Sequence, residues 1–278
     1  IDLAYNWMLQ NHGHDSIGAC SRDIVSDDFP FRCRQAREIC SCVLERAVID
    51  IAGSIDLSAY SPEHMALVVF NPAAFSRSEV TPLVVNVPKE WNANGLEVTD
   101  EHGNKSALQI RKQTGPAYKS VYSPNNVANT MEFTRFDLLA DLKDVPSMGY
   151  TTFIVKPATQ PKHGDSDRRA GLAAGPRKME NEHLAVTINS NGTLDLRDKN
   201  TGRTYRGLGY FKDSGETGNP WTHAAPQNDK LYTTLKERAK IELLHNGPLE
   251  ASFKVVINWA LPEKLAPDKT SRSAKLKP

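Results

Sequence analysis

Residues 10 to 21 read Gln10-Asn11-His12-Gly13-His14-Asp15-Ser16-Ile17-Gly18-Ala19-Cys20-Ser21. Two histidines, an aspartate, a cysteine and two glycines share these twelve positions. Upstream, Leu3, Ala4, Trp7 and Met8 recur at i, i+3, i+4 spacing, the stripe of an amphipathic helix. Downstream, Ala36, Cys40, Val43, Leu44, Ala47 and Ile51 repeat at the same period. That predicts a helix from Arg34 onward, running about five turns to Gly53-Ser54. The polar stretch therefore joins two helices, and residues 1–60 read as the end of a helical bundle domain.

Two readings of the stretch stand side by side. In one it is a polar turn, with Asp15 as the N-cap of a helix starting at Ser16, an interaction of about 1 kcal/mol. In the other, His14 is a metal ligand beside a substrate-binding carboxylate, Asp15. A single histidine does not hold a metal, since a catalytic zinc site takes about three protein ligands and an open position. Of the other histidines, His64, His102, His163, His183 and His245 stand isolated in predicted strands or turns.

After Pro62 the pattern changes to strands. Met65 to Phe70 is one, stopped at Asn71-Pro72, because proline gives the ladder no N–H. Glu79 to Val87, Met131 to Leu139 and Gly149 to Val155 are others. Leu96 to Arg111 reads as a hairpin turning at His102-Gly103-Asn104. Residues 61–158 thus form a small β-sandwich domain. Residues 159–178, rich in proline, glycine and charge, read as a linker. Residues 179–278 open a larger β-sandwich of about five visible strands, with hairpin turns at Asn191-Gly192 and Asn246-Gly247. The fold class is α+β and multidomain: a helical-bundle remnant, then two mainly antiparallel β-sandwich regions, the second incomplete.

The bulk numbers exclude several classes. The 278 residues suit about two domains. Net charge is +1, from 34 basic and 33 acidic residues, so no nucleic-acid partner is implied. No apolar run approaches the roughly 18 residues of a membrane span. Cys20, Cys33, Cys40 and Cys42 show no zinc-finger spacing and read as free thiols of a reducing cytosol. The start, Ile1-Asp2-Leu3-Ala4, lacks the features of a signal peptide and reads as the middle of a helix; Ser271 to Pro278 is a polar, basic tail. Both ends look cut, as in a segment of a longer protein.

A second polar cluster spans Asp213-Ser214-Gly215-Glu216-Thr217-Gly218-Asn219-Pro220-Trp221-Thr222-His223. It is either an ordinary long connection or a sugar-binding loop, in which Trp221 stacks on a pyranose face. Asp213 and Glu216 do not read as a glycosidase pair, because a flexible loop sets no fixed spacing between them.

Taken together, these residues resemble the α-mannosidases of glycoside hydrolase family 38, above all the bacterial branch. QNHGHDSIGACS is similar to that family's "NH-x-HDSI-x-G/A-CS" stretch. Phe70-Asn71-Pro72 is similar to its "FNP", Val145 to Val155 to its "P-x-x-GY-x-x-F" strand, and Asp213 to Pro226 to its "D-x-G-x-x-GN-x-[YW]-x-[HF]-x-x-P" loop. The match runs in order along the whole chain, and its first and last motifs are specific together.

The resemblance implies a zinc-dependent, retaining α-mannosidase in which an N-terminal α/β barrel, missing from this chain, carries the nucleophile, the acid/base and the other zinc ligands. His14 matches the last zinc ligand. Asp15 matches an aspartate that binds substrate hydroxyls, and Trp221 an aromatic that reaches the active site. Asn219 and His223 of the same loop are expected substrate contacts, and no catalytic residue is expected here. The cofactor is Zn²⁺ and the partner a mannoside or mannose-containing oligosaccharide. The setting is the bacterial cytoplasm, and a homo-oligomer stays open. The rival is a non-catalytic carbohydrate-binding β-sandwich module that uses Trp221 and treats His14 as part of a cap. A stand-alone structural β-sandwich protein with a helical N-terminus is a third reading, weakened by the polar density of residues 10–16.

Overall fold

The computed structural model describes residues 1–122, 128–158, 171–219 and 221–278. They form two compact units. One comprises Ile1–Leu57, Lys212–Thr233 and Ala260–Pro278; the other comprises Ser58–Phe211 and Thr234–Trp259.

In the first unit, helix α1 (Asp2–Leu9) is followed by a single turn, α2 (His14–Ile17), and the long helix α3 (Asp23–Gly53). Ala4 is buried, and Trp7 packs its ring edge-on against Phe31 of α3, centroids 5.7 Å apart. The expected start of α3 at Arg34 is corrected: the helix begins eleven residues earlier and passes through Pro30. Proline removes one intrahelical hydrogen bond, here the one to the Ser26 carbonyl, and ordinarily ends a helix. Here the contacts of Phe31 with Trp7 and of Asn11 with the same turn hold the chain helical across it. Asp23 in the first turn suits the positive end of the helix dipole. The same unit holds two short pairs, β12 (Lys212–Asp213) with β13 (Tyr232–Thr233) and β16 (Leu261–Pro262) with β17 (Leu276–Lys277).

In the second unit, β1 (Met65–Asn71), β6 (Gly149–Ala158) and β3 (Gly95–Thr99) form one antiparallel sheet in the order β1-β6-β3. A second sheet has the order β2-β5-β4, from β2 (Arg77–Pro88), β5 (Ala128–Val145) and β4 (Leu108–Tyr122). Alternation along β5 puts Phe136, Leu138, Ala140 and Leu142 on one face. They pack with Val85, Val87, Leu96, Val98, Phe153 and Val155 in a single core. Pro82 is tolerated because β2 is an edge strand. Asn71 of the FNP stretch is buried: its amide donates to the carbonyls of Phe75, Val145 and Pro146, and its oxygen accepts the Ala73 N–H.

The hairpin expected over Leu96 to Arg111 is corrected. Its turn exists, with Asp100 Oδ1 accepting the N–H groups of His102 and Asn104. The arms pair only beside the turn, where Thr99 bridges Lys105; beyond it they part, β3 pairing with β6 and β4 with β5. Each arm carries apolar residues that the core needs on opposite layers, and burial outweighs local pairing.

Beyond it, β11 (Thr204–Leu208), β10 (Leu194–Asp198), β9 (Leu184–Ile188), β8 (Lys178–Glu180) and β7 (Ala173–Gly175) form a five-stranded antiparallel sheet in that order. β14 (Ala239–Asn246) pairs with β15 (Ala251–Ile257). The turns at Asn191-Gly192 and Asn246-Gly247 fall where the sequence puts them. The expected count of about five strands is too low, because strands of two residues such as β12, β13, β16 and β17 carry no legible period. Of the expected linker, residues 159–170 lie outside the described residues, whereas 173–175 and 178 are in strands. The antiparallel sheets and the few helices agree with an α+β chain.

Candidate functional site

The stretch at residues 10–21 is built from a buried anchor outward. Asn11 is fully buried. Its Nδ2 donates to the Phe29 carbonyl at 3.3 Å and to Cys33 Sγ at 3.4 Å, and its Oδ1 accepts from Arg32 at 3.4 Å. Three partners on α3 thus fix the chain just before His12. Gly13 then caps α2, which corrects the expectation that Asp15 caps a helix starting at Ser16. Asp15 sits inside the turn, with its carboxylate beside His14 and Cys20.

His14 is the most open part of the site. Its side chain is 92% exposed, and its Nε2 lies 3.1 Å from Asp15 Oδ1. Behind the pair, the Cys20 thiol donates to the Asp15 carbonyl at 3.5 Å and faces Oδ1 at 3.7 Å. Burial, followed by the Asp15 charge, pushes the Cys20 thiol above its ordinary range. Asp15 Oδ2 has no partner among the described residues. The turn closes through the Cys20 N–H on the Asp15 carbonyl and the Ser16–Ser21 hydroxyl contact at 3.4 Å.

The second cluster is a braced loop in the same unit as the helices. Arg272, nearly buried, reaches into it from the strand-flanked C-terminal stretch. Its guanidinium pairs with Asp213 and, at 2.8 Å, with Asp229, donates to the Lys230 carbonyl, and lies 4.9 Å over the Tyr232 ring. Residues 271–278 are therefore not a free tail: Leu276–Lys277 pairs with Leu261–Pro262. Asp229 also accepts the Gly215 N–H at 2.8 Å, which, with Arg272 beside it, holds its carboxyl below the usual range.

Above this clasp, Asn219 Oδ1 accepts the N–H groups of Trp221 at 3.0 Å and Thr222 at 3.3 Å, and its Nδ2 donates to Thr222 Oγ1. His223 Nε2 sits 3.0 Å from the Gly215 carbonyl and 3.3 Å from Ser214 Oγ. Asn219 and His223 are thus engaged inside the loop, while the Trp221 ring stands 71% exposed. Asp213 and Glu216 do not face a common point: one pairs with Arg272 and the other binds backbone N–H groups.

The structure brings His14 to Asp15, and Asn219 to Trp221 and His223 within one loop. Among the described residues, no three His, Cys, Asp or Glu side chains gather as a metal site. An exposed imidazole beside a carboxylate fits one position of a zinc site, and these residues alone do not fill one. His163 lies outside the described residues. Asn11, Cys20, Glu216 and Arg272 escaped the sequence reading. Only the boxed polar spacing of residues 10–21 signalled the first two, and nothing local signals a partner 59 residues away.

No protein-family model matches the chain. It is 26% identical, over 93% of its length, to a protein of Halalkalibacterium halodurans described as "Putative mannosylglycerate hydrolase", and covers 31% of that protein. Its fold matches that of an alpha-mannosidase from Enterococcus faecalis V583, with a TM-score of 0.84 and 24% identity over 99% of the chain. It matches equally a glycosyl hydrolase family 38 protein from Enterococcus faecalis, at TM-score 0.84 and 24% identity. The chain spans about a third of each relative's length: 31%, 34% and 36%. The chain is therefore similar in sequence to a segment of a putative mannosylglycerate hydrolase and in fold to a segment of family 38 glycoside hydrolases. Among the described residues no helix is long and apolar enough to cross a membrane.

Proposed function

From this whole-length likeness and the exposed His14–Asp15 pair, we propose that the chain is part of a metal-dependent, retaining α-mannosidase that hydrolyses terminal α-mannosidic bonds. His14 supplies one zinc ligand; Asp15, Trp221, Asn219 and His223 supply substrate contacts. A barrel domain outside this stretch of sequence completes the metal site and carries the nucleophile and the acid/base. Zinc held by His14 and by ligands of that barrel would supply Lewis-acid binding of sugar hydroxyls, beside a two-carboxylate displacement carried by the barrel. The setting is the bacterial cytoplasm, and the four cysteines, all free, agree with it.

The carrying observation is the geometry of residues 11–15. A buried amide ties the chain to α3, so that an imidazole and a carboxylate stand together and accessible one turn later. His14 binds as a neutral imidazole. Its Nε2–H is held by Asp15 in the role of a supporting acceptor, which leaves Nδ1 as the lone-pair donor. Asp15 Oδ2 then accepts from a sugar hydroxyl, and Trp221 offers its ring to the apolar face of a pyranose. A mannoside or mannose-containing oligosaccharide is the substrate class, and the curated relative's name adds mannosylglycerate to the glycosides worth assaying.

The test is His14→Ala in the intact parent protein, read by zinc content and by hydrolysis of a chromogenic α-mannoside. Loss of both supports the reading; retention of both overturns it. The isolated 278-residue chain should show neither tight zinc binding nor turnover, and hydrolysis by it alone contradicts the proposed division of labour. One observation favours the carbohydrate-binding module instead: the exposed Trp221 on a braced loop needs no metal. That reading predicts mannoside binding lost in Trp221→Ala and untouched in His14→Ala.

A further inference from the structure

Glu216 has no part in the roles assigned above, yet the loop is organised around it. Its Oε1 accepts the N–H groups of Gly218 at 3.0 Å and Asn219 at 3.1 Å, on the N-terminal side of Trp221. Its Oε2 accepts the Ala224 N–H at 2.9 Å, on the C-terminal side. One carboxylate therefore ties together two points of the backbone that flank the tryptophan. Thr217 reinforces the same closure, its N–H at 2.9 Å and its hydroxyl at 3.0 Å both donating to the Ala224 carbonyl. His223 Nε2 approaches Oε2 at 3.9 Å, and no other charged side chain is paired with Glu216 among the described residues.

An exposed aromatic ring normally samples several rotamers, and ordering one on binding opposes association. A loop whose ends are joined removes backbone freedom in advance. Hydrogen bonds to an ionised acceptor are roughly twice as strong as neutral ones. The converging N–H groups hold the Glu216 carboxyl below its ordinary range, so the acceptor stays ionised near neutral pH.

We propose that Glu216 is a positioning residue for Trp221: it holds the turn that presents the indole to a pyranose ring, and so raises sugar affinity without touching the sugar. This rests on the reading of Trp221 as a sugar platform. Asn219 works with it, closing the tip of the turn on the Trp221 and Thr222 N–H groups.

The experiment uses the full-length protein labelled with 5-fluorotryptophan, with the Trp221 resonance assigned by its disappearance in Trp221→Phe. Methyl α-mannoside is titrated into wild type, Glu216→Gln, Glu216→Asp and Trp221→Ala. The expected result is a Trp221 line that broadens or splits in Glu216→Gln while the other tryptophan lines hold. Affinity should fall several-fold toward that of Trp221→Ala, with Glu216→Asp between the two. Unmoved tryptophan lines elsewhere also report that each variant is folded. An unchanged Trp221 line in Glu216→Gln overturns the proposal. So does a broadened line with wild-type affinity, if Trp221→Ala binds poorly. Wild-type affinity in Trp221→Ala itself overturns the platform reading and takes this proposal with it, an outcome the other variants do not mimic.

Discussion

At the scale of the residue, the site rests on Asn11, a buried amide that exchanges bonds with the Phe29 carbonyl, Cys33 and Arg32. Removing one partner of a buried hydrogen bond strands the others, at about 1–3 kcal/mol. Asn11→Ala should therefore cost about 2 kcal/mol in urea unfolding of the chain. An effect within a few tenths of a kcal/mol would mean that water replaces the amide. Cys20 offers a second check. Its raised thiol pKa, caused by burial and then by Asp15, leaves less thiolate at neutral pH. Peptide mass spectrometry of iodoacetamide labelling should show Cys20 reacting several-fold more slowly than the exposed Cys40 and Cys42. Asp15→Asn should recover only part of that gap, since burial is the larger cause. His14, Asp15 and Trp221 were singled out in the sequence by their residue types in short polar runs and by the family resemblance. Asn11, Glu216 and Arg272 were not. Their roles depend on partners that local spacing does not reveal, and Arg272 sits in what reads as a polar tail.

Elements show the same divide between local and distant causes. The Asn191-Gly192 turn between β9 and β10 was legible, because its φ of +86° at Gly192 is one that glycine takes at little cost. What the sequence does not show is that the turn packs on β14 and β15. A Cβ at Gly192 would lie 2.8 Å from Ile257 Cδ1 and 3.0 Å from Val255 Cγ1. Gly192→Ala therefore meets two penalties, backbone strain and overpacking, each on the order of 1–3 kcal/mol. The expected outcome is a loss of about 3 kcal/mol, seen as a lower urea midpoint at unchanged slope. A loss below about 1 kcal/mol would show that β14–β15 shifts to make room. The reading failed where tertiary packing overrides a local signal. The helix expected from Arg34 starts at Asp23 and runs through Pro30; His102-Gly103 reads as a hairpin turn, and the strands on either side join different sheets.

For the whole molecule, acid should be the sensitive variable. Asp100, Asp195, Asp198, Glu216, Asp229, Glu263 and Asp268 are all held below the ordinary carboxylate range. The leading cause is a backbone N–H for Asp195, Glu216, Asp229 and Asp268. It is a side-chain donor for Asp100, Asp198 and Glu263. A group whose folded pKa is depressed binds its proton more readily when unfolded. Its contribution is therefore fully present above the unfolded value of about 4 and is lost as pH falls through the folded one. The melting temperature should accordingly hold from pH 7 to about 5 and drop steeply below about 4. Asp229 tests the assignment, because its two oxygens serve Gly215 and Arg272, the base of the Trp221 loop. Asp229→Asn keeps an acceptor for Gly215 but does not titrate. It should be less stable than wild type at pH 7, having left the nearly buried Arg272 with Asp213 as its one carboxylate, and its decline between pH 5 and pH 2 should be shallower. Parallel curves for the two proteins would mean that the acid response arises elsewhere. A shallower curve, with the Trp221 fluorescence of wild type alone changing on acidification, would place the first acid-induced opening at the loop proposed to meet the sugar.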